Sequence, residues 1–458
     1  LPQRPIVATS PGNAGEAGRG IMTVTPAATR VERLRQLREA GEVIGSEKLF
    51  YKGEPQRFNV YRIDLDLLVY NRHNGRIESE MLTWQFDHDV DEHAYDEVIH
   101  KRIADYLWNT NEERNRHTLK DLKEKQQQRP GIVSLDGVII DGNRRAMLLN
   151  RIVPRRHFEA VILPDAYYDD EREIVRLETQ YQIGEDSKLD YGPLEKYLKV
   201  KRLVRQLDYP TSEVADMMAT TKGEVEKWLS IMDLMDDYLE HIGCAGLYTM
   251  LKEPSGATKE GMFVDLHLDM KRLDKGTASV PWPTSTIDEI DLRTIQFDYI
   301  RFGSGLLDAG KDYRRISHDG RGERTFFAKE DIWRKFRDGH RGTVDVITNE
   351  VGELAAFVAA NPHFPSMSDA AMARESEWKA KAGGPLQGNF NKADLDLQLE
   401  LNANEPRKLL ERAFAALDKI DYTSEGFVTD TANGPLVKEI NTLVYEMKKR
   451  LERAERKA

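Results

Sequence analysis

The chain has 458 residues, a formal net charge of −11, 40% hydrophobic and 32% charged residues, and one cysteine, Cys244. That length allows two or three domains with sizeable cores. No apolar run approaches the ~20 residues that span a bilayer, and the N-terminus lacks the apolar core of a secretory signal. A single cysteine excludes an intramolecular disulfide and any multi-cysteine zinc cluster and fits a reducing cytoplasm, while the acidic balance confines any nucleic-acid contact to a local patch.

Residues 1–30, rich in Pro, Gly, Ala and Thr, read as a disordered tail, within which Met22 offers a start. Val31 to Glu47 reads as a short charged helix. Phe58 to Ile63 alternates as a strand does, and Leu65 to Tyr70 continues an apolar segment into the polar turn Asn71-Arg72-His73-Asn74-Gly75-Arg76. Glu92 to Asn109 is expected to be helical and Arg114 to Arg129 a polar helix or linker. Val138, Ile139 and Ile140 form a β-branched run, broken by the turn chemistry of Asp141-Gly142-Asn143. From Arg144 the spacing is helical, with Ala146, Leu148, Leu149 and Ile152 able to share a face. Arg144 and Arg145 therefore stand where a helix begins, a place suited to a phosphate; pairing with nearby acidic side chains is the competing account. Between Lys101 and Glu159, 13 Lys/Arg stand against 8 Asp/Glu, which is either a basic patch around that turn or a solvated face. Phe158 to Leu163 reads as another strand, and Glu171 to Tyr181 as a helix carrying Glu178 and Thr179 near its end.

Leu189 to Glu195 breaks the chain, with Pro193 placed in the first turn of a helix through Leu207. Thr211-Ser212-Glu213 caps a helix containing Val214, Ala215, Met217 and Met218. A turn at Ala219 to Thr221 leads into a second helix from Lys222, with Val225, Trp228 and Leu229 inward. This is the pattern of a helix-turn-helix. Glu224 and Glu226 sit awkwardly for a major-groove reader, and the same pattern also serves as a structural helix pair. Val280-Pro281-Trp282-Pro283 marks a boundary. Tyr313 to Phe336 interleaves aromatics with arginines, either to stack on bases or as a sheet and helix with snorkelling Arg. Gly303-Ser304-Gly305 follows no βαβ unit. His318 and His340 lack metal-site spacing and read as loop histidines. Residues 361–404 read as a linker. In the last helix Val437, Ile440, Leu443, Val444 and Met447 fall on one stripe that docks on its own domain or mediates a dimer.

Together these segments resemble the ParB/sulfiredoxin-like superfamily, in the form of a ParB-like N-terminal domain followed by a helix-turn-helix. Tyr70 to Arg76 is similar to the family's early Asn/Arg turn, Val138 to Arg145 to its phosphate-binding motif, and Glu178-Thr179 with Leu194-Glu195 and residues 211–232 to its third box and DNA-binding unit. The resemblance covers roughly residues 58–240. It implies a nucleotide-binding domain at 31–183 and an all-α helix-turn-helix domain at 184–280; the family does not explain residues 283–458, where the residues themselves read as a mixed, mostly helical C-terminal region, which makes the whole an α+β chain. Within that region 284–360 is an α/β or α+β domain of unknown role, 361–404 the linker and 405–458 the C-terminal helices.

By resemblance, Gly142, Asn143, Arg144 and Arg145 hold the phosphates of CTP or ATP with Mg²⁺, Arg76 contributes from the opposing turn, and Glu178 with Thr179 works near metal and phosphates. Thr179 replaces the family's Asn, and Gln182 stands where an Arg is usual. Thr221, Lys222 and Lys227 contact DNA. The implied protein is a cytoplasmic homodimer that makes no membrane contact and acts as a nucleotide-dependent DNA-binding switch in partition, mobile-element or phage-defence functions. The alternatives are an NTPase or nuclease using Glu178 as catalytic carboxylate and metal ligand, and a non-catalytic interaction scaffold. Sulfiredoxin-type chemistry is disfavoured because Cys244 lies well outside the phosphate motif.

Overall fold

The computed structural model describes residues 24–88, 90, 95–154, 157–181, 192–253, 259–278, 280–303, 313–318 and 321–456. Most of the expected tail, Gln182, the break at Leu189 to Tyr191 and the glycine loop after Gly303 lie outside the described residues. The chain is mixed α+β and divides into two compact units, residues 1–390 and 391–458.

Helix α1 (Ala27–Ala40) ends at Gly41, earlier than expected, because the segment up to Glu47 already belongs to β1 (Gly45–Tyr51). Lys52 and Gly53, both at positive φ, make the two-residue turn into β2 (Glu54–Ile63), with Tyr51 opposite Glu54. Such a turn matches the twist of the strands it joins. A 3-10 turn leads to β3 (Val69–Tyr70), followed by α2 (Glu78–His88), α3 (Glu97–Asn109) and α4 (Glu112–Lys125). Asp96 caps α3 through Ile99 N at 2.8 Å, and Asn111 caps α4 through Arg114 N at 3.0 Å. Then come β4 (Gly131–Val133), β5 (Val138–Asp141), α5 (Asn143–Leu149), β6 (Phe158–Ile162) and α6 (Glu171–Thr179).

The six strands form one mixed sheet in the order β1-β2-β6-β4-β5-β3, with β6/β4 and β5/β3 parallel and the other neighbours antiparallel. Period-two alternation divides its residues between two cores. Phe158, Ala160 and Ile162 face the cluster holding Leu34, Trp84, Ile103 and Leu148. Val161 and Leu163 face the cluster holding Ile174, Val200, Val214, Val225 and Leu229. The second cluster joins residues of the sheet and of α6 to residues of the helix-turn-helix in one continuous apolar core.

Helix α7 (Pro193–Lys201) runs on through a π-turn at Arg202–Gln206; α8 (Thr211–Met217) and α9 (Lys222–His241) follow. Next are α10 (Glu260–Asp274), α11 (Thr286–Phe302), α12 (Arg314–Ser317), α13 (Glu330–Val351) and α14 (Leu354–Ala360). Residues expected to form an α/β or α+β domain at 284–360 are therefore helical, without strands among the described residues. Their aromatics are core: Phe327 meets Trp333 edge-on at 4.8 Å, and Phe326 meets Phe336 at 5.1 Å. His340 is buried in α13 and not on a loop; its Nε2 shares the Asp298 carboxylate with His241 Nε2, at 2.9 and 3.0 Å.

The expected linker at 361–404 is instead mostly helix, the greater part of α15 (Met367–Leu417). Its Ala, Leu and charged residues outweigh Gly383, Gly384, Pro385 and Gly388. Trp378 and Arg301, the latter ion-paired with Glu375 at 2.5 Å, anchor the helix's first part in the first unit. The second unit contains the rest of α15 with α16 (Glu425–Thr429) and α17 (Asn433–Glu455), and α17 buries none of its residues. No helix among the described residues is long and apolar enough to cross a membrane.

Candidate functional site

Three segments far apart in sequence meet at the end of the sheet where β3 and β5 run parallel. The first is the turn after β3. Asn71 Oδ1 accepts from His73 N at 2.9 Å and Asn74 Oδ1 from Arg76 N at 3.2 Å, so two asparagines set the turn by bonding their own backbone. The second is the turn after β5. Gly142 stands at φ +97°, where a Cβ would lie 2.7 Å from the Phe158 ring. Asn143 Nδ2 donates to Ile139 O at 2.7 Å and its Oδ1 accepts from Asn71 N at 2.8 Å, clamping the two turns together. The third is the end of α6. Asn71 Nδ2 donates to Glu178 Oε1 at 3.2 Å, and Glu178 Oε2 accepts from Lys199 Nζ of α7 at 3.0 Å. The result is a buried polar line, Asn143–Asn71–Glu178–Lys199, running from the motif turn into the helices that carry the helix-turn-helix.

More charge surrounds this line. Arg202, buried one turn beyond Lys199, binds Glu171 at 2.6 Å. Glu78 opens α2 and is buried, with no hydrogen-bond partner for its Oε2. Burial pushes its pKa up to about 7, Glu178 and Glu195 adding to the effect against the pull of Lys199 and Arg202. Lys252 joins Glu80 at 2.6 Å to Glu195 at 2.9 Å, tying α2 to α7. Lys199, Arg202 and Glu78 were not among the residues picked from sequence. One signal for the first two was available: both are cations on a helix whose Leu194, Leu198, Val200 and Leu203 are core, and a cation within such a stretch needs a buried partner.

The expected phosphate-binding residues divide into two groups. Asn143 and Thr179 are engaged inside the fold, Thr179 Oγ1 donating to Val175 O at 2.7 Å. Arg144 reaches the Asn115 side chain, and Arg145 pairs with Asp141 at 2.8 Å and donates to the Arg129 carbonyl. The pairing account of Arg145 thus holds in this state, and the turn's positive charge is partly spent within the protein. Arg76 lies at the end of the opposing turn, whose first residue, Asn71, is clamped to Asn143. Much of the basic surplus around the turn is likewise engaged: Arg116 with Glu112, Lys125 with Asp121, and Arg151 over the Trp108 ring at 3.9 Å.

A metal role for Glu178 does not fit this arrangement. Both its oxygens accept from protein donors, and the Lys199 ammonium stands where a cation would. No group of three His, Cys, Asp or Glu side chains placed to hold a metal ion occurs among the described residues. Cys244 is buried, and burial pushes its thiol up to about 11, which keeps it from acting as a thiolate.

In the helix-turn-helix, Thr221 caps α9 by accepting from Glu224 N at 3.2 Å. Lys222 pairs with Glu226 at 3.5 Å and Lys227 with Glu224 at 3.0 Å. The two glutamates that looked awkward for DNA are partners of the two lysines expected to contact it. The chain matches no protein-family model, and no curated protein shows significant sequence similarity to it.

Proposed function

We propose that this chain is a ParB-like, nucleotide-responsive DNA-binding protein of the cytoplasm. The layer around Asn71, Asn143 and Glu178 takes a nucleoside triphosphate, CTP or ATP, and its occupancy changes how α8 and α9 engage duplex DNA in a homodimer. The observation that carries this reading is the line Asn143–Asn71–Glu178–Lys199, which joins the three segments of the resemblance to α7. Arg76, Arg144, Arg145 and the Gly142 backbone are the groups that would meet the phosphates, with Arg144 exchanging Asn115 and Arg145 exchanging Asp141 for the ligand. Mg²⁺ would come on the triphosphate, neutralising its charge, and not on Glu178. A ligand that draws the two turns together strains or relieves the Asn71–Glu178 contact, and through Lys199 it biases the position of α7 against α9. A few kcal/mol of differential affinity suffices for such a population shift.

Calorimetric titration with CTP, ATP and GTP in the presence of Mg²⁺ tests the first half. One triphosphate should bind, and binding should disappear in Arg144→Ala/Arg145→Ala. Silence with all three, with and without DNA, would refute it. Duplex DNA binding at low salt, weakening as salt rises and changing with the bound nucleotide, tests the second half.

A further inference from the structure

Beside the phosphate motif the backbone is strained at the exit of α4. Gln126 follows that helix at φ 63° and ψ −171°. Glycine takes this conformation freely, and any other residue holds it only where its surroundings over-determine it. Here the side chain of Gln127 does so. Its Nε2 donates to Arg129 O at 2.8 Å and to Glu159 O at 2.5 Å, and its Oε1 accepts from Glu159 N at 3.1 Å, fixing the segment against β6. The carbonyls of Arg129 and Pro130 are thereby turned toward the start of α5.

Arg145 meets them there. Its Nη1 donates to Arg129 O and stands 3.4 Å from Pro130 O, while its Nη2 donates to Asp141 at 2.8 Å. The body of α4 engages the neighbouring arginine: Arg144 Nε donates to the Asn115 side chain, whose Nδ2 donates in turn to Leu107 O at 3.0 Å and Trp108 O at 2.7 Å. Asp141 alone would give Arg145 an ion pair, and water would satisfy its remaining N–H groups without distorting the chain. The carbonyl contacts are instead made from a backbone that resists its own conformation, and strain of that kind is returned when the contact is let go.

We propose that residues 126–130 are a strained brace that holds Arg145 off the phosphate position, an autoinhibitory contact that the nucleotide must displace. The inference rests on the nucleotide reading above and adds its regulation. While the brace is closed, the guanidinium is met by carbonyl oxygens and Asp141. When a phosphate takes the guanidinium, the segment leaves the motif and Gln126 returns to an extended backbone. The strain recovered offsets part of the cost of opening, so the brace yields to a ligand that an unstrained one would resist.

Two measurements on the full chain test it. Denaturant melts without ligand compare Gln126→Gly, Arg145→Ala and the double variant. Glycine holds the braced conformation without strain, so Gln126→Gly should raise the midpoint of the parent. That gain should largely vanish in the Arg145→Ala background, where the segment is already released. An equal gain in both backgrounds, or none in the parent, overturns the brace. Calorimetric titration with CTP, ATP and GTP plus Mg²⁺ then reads the regulation. The triphosphate that binds the parent should bind Gln126→Gly about tenfold more weakly, because the closed brace is now relaxed, and Gln127→Ala several-fold more tightly. An affinity unchanged in both variants overturns the inhibitory role. A parent that binds none of the three refutes the nucleotide reading and the inhibitory role with it, while the melts decide separately whether Arg145 is held against strain.

Discussion

Glu178 and Lys199 are a fully buried ion pair, and the cost of separating them exceeds what the pair itself contributes. Glu178→Gln leaves the Lys199 ammonium without its counter-charge and should destabilise the chain by roughly 3–5 kcal/mol. Glu178→Gln/Lys199→Met should recover a large part of that loss, and denaturant melts of Glu178→Gln, Lys199→Met and the double variant measure the coupling. Equal losses in the single and double variants would show that the line is not held by charge. Glu78 carries a pH dependence of opposite sense to that of an ordinary salt-bridged carboxylate. Its pKa rises from 4.5 to about 7 on folding, so between those values the folded chain keeps a proton that the unfolded chain has released. Its contribution is therefore complete below pH 4.5 and lost as pH rises to about 7. Glu78→Gln should remove that slope and be more stable than the parent above pH 7, by up to ~3 kcal/mol for a shift of this size. Stability curves at pH 5 and pH 8 decide it.

Among the elements, the β5–α5 turn and the start of α9 respond oppositely to the same change. Gly142 sits at φ +97° with the Phe158 ring 2.7 Å from where a Cβ would be. Gly142→Ala should cost roughly 1–3 kcal/mol through backbone strain alone, and more if Phe158 must move. Gly223 lies in the first turn of α9 with nothing within 4 Å of its would-be Cβ. Gly223→Ala should stabilise by about 0.5–1 kcal/mol, since the helix gains a residue that loses less entropy on folding. Thermal melts of the two variants, shifted in opposite directions, are the check. The turn's rigidity also bears on function, because Asn143 transmits its position to Asn71.

The whole molecule has a first unit with shared cores and a second of exposed helices. In the second, Leu443, Val444 and Leu451 of α17 are each more than half exposed, and Leu436, Ile440, Leu443 and Met447 repeat at alternating spacings of four and three. That spacing is the one a two-stranded helical assembly requires of its seam. If the proposed homodimer forms through this stripe, sedimentation equilibrium of the full chain should give twice the chain mass, and Leu443→Glu/Met447→Glu should give the single mass. A dimer that survives this double change assembles through another surface.

Local pattern was enough to locate much of the frame. The runs at Phe58 to Ile63, Val138 to Ile140 and Phe158 to Ile162 lie in strands, because alternation acts over a few residues, and Pro193, Thr211 and Thr221 stand at helix starts, although of the three only Thr221 makes a side-chain cap bond and the cap expected at Thr211 is not formed. The strands β1 and β4 and the helix α2 escaped: β1 and β4 owe their pairing to sheet neighbours, and α2 has no strong apolar period. The helix across 361–404 was hidden by its Pro and Gly content. Asn71 reads as part of a polar turn and Glu178 as near the end of a helix, but nothing near either one in the chain says that they touch across 107 positions. Still less does it say that Lys199 closes the line or that Glu178 is thereby withdrawn from a metal. Those facts depend on which charges are buried together. Burial is a property of the packed layers, since a carboxylate's partner and its pKa are set by what surrounds it in space and not by its sequence neighbours.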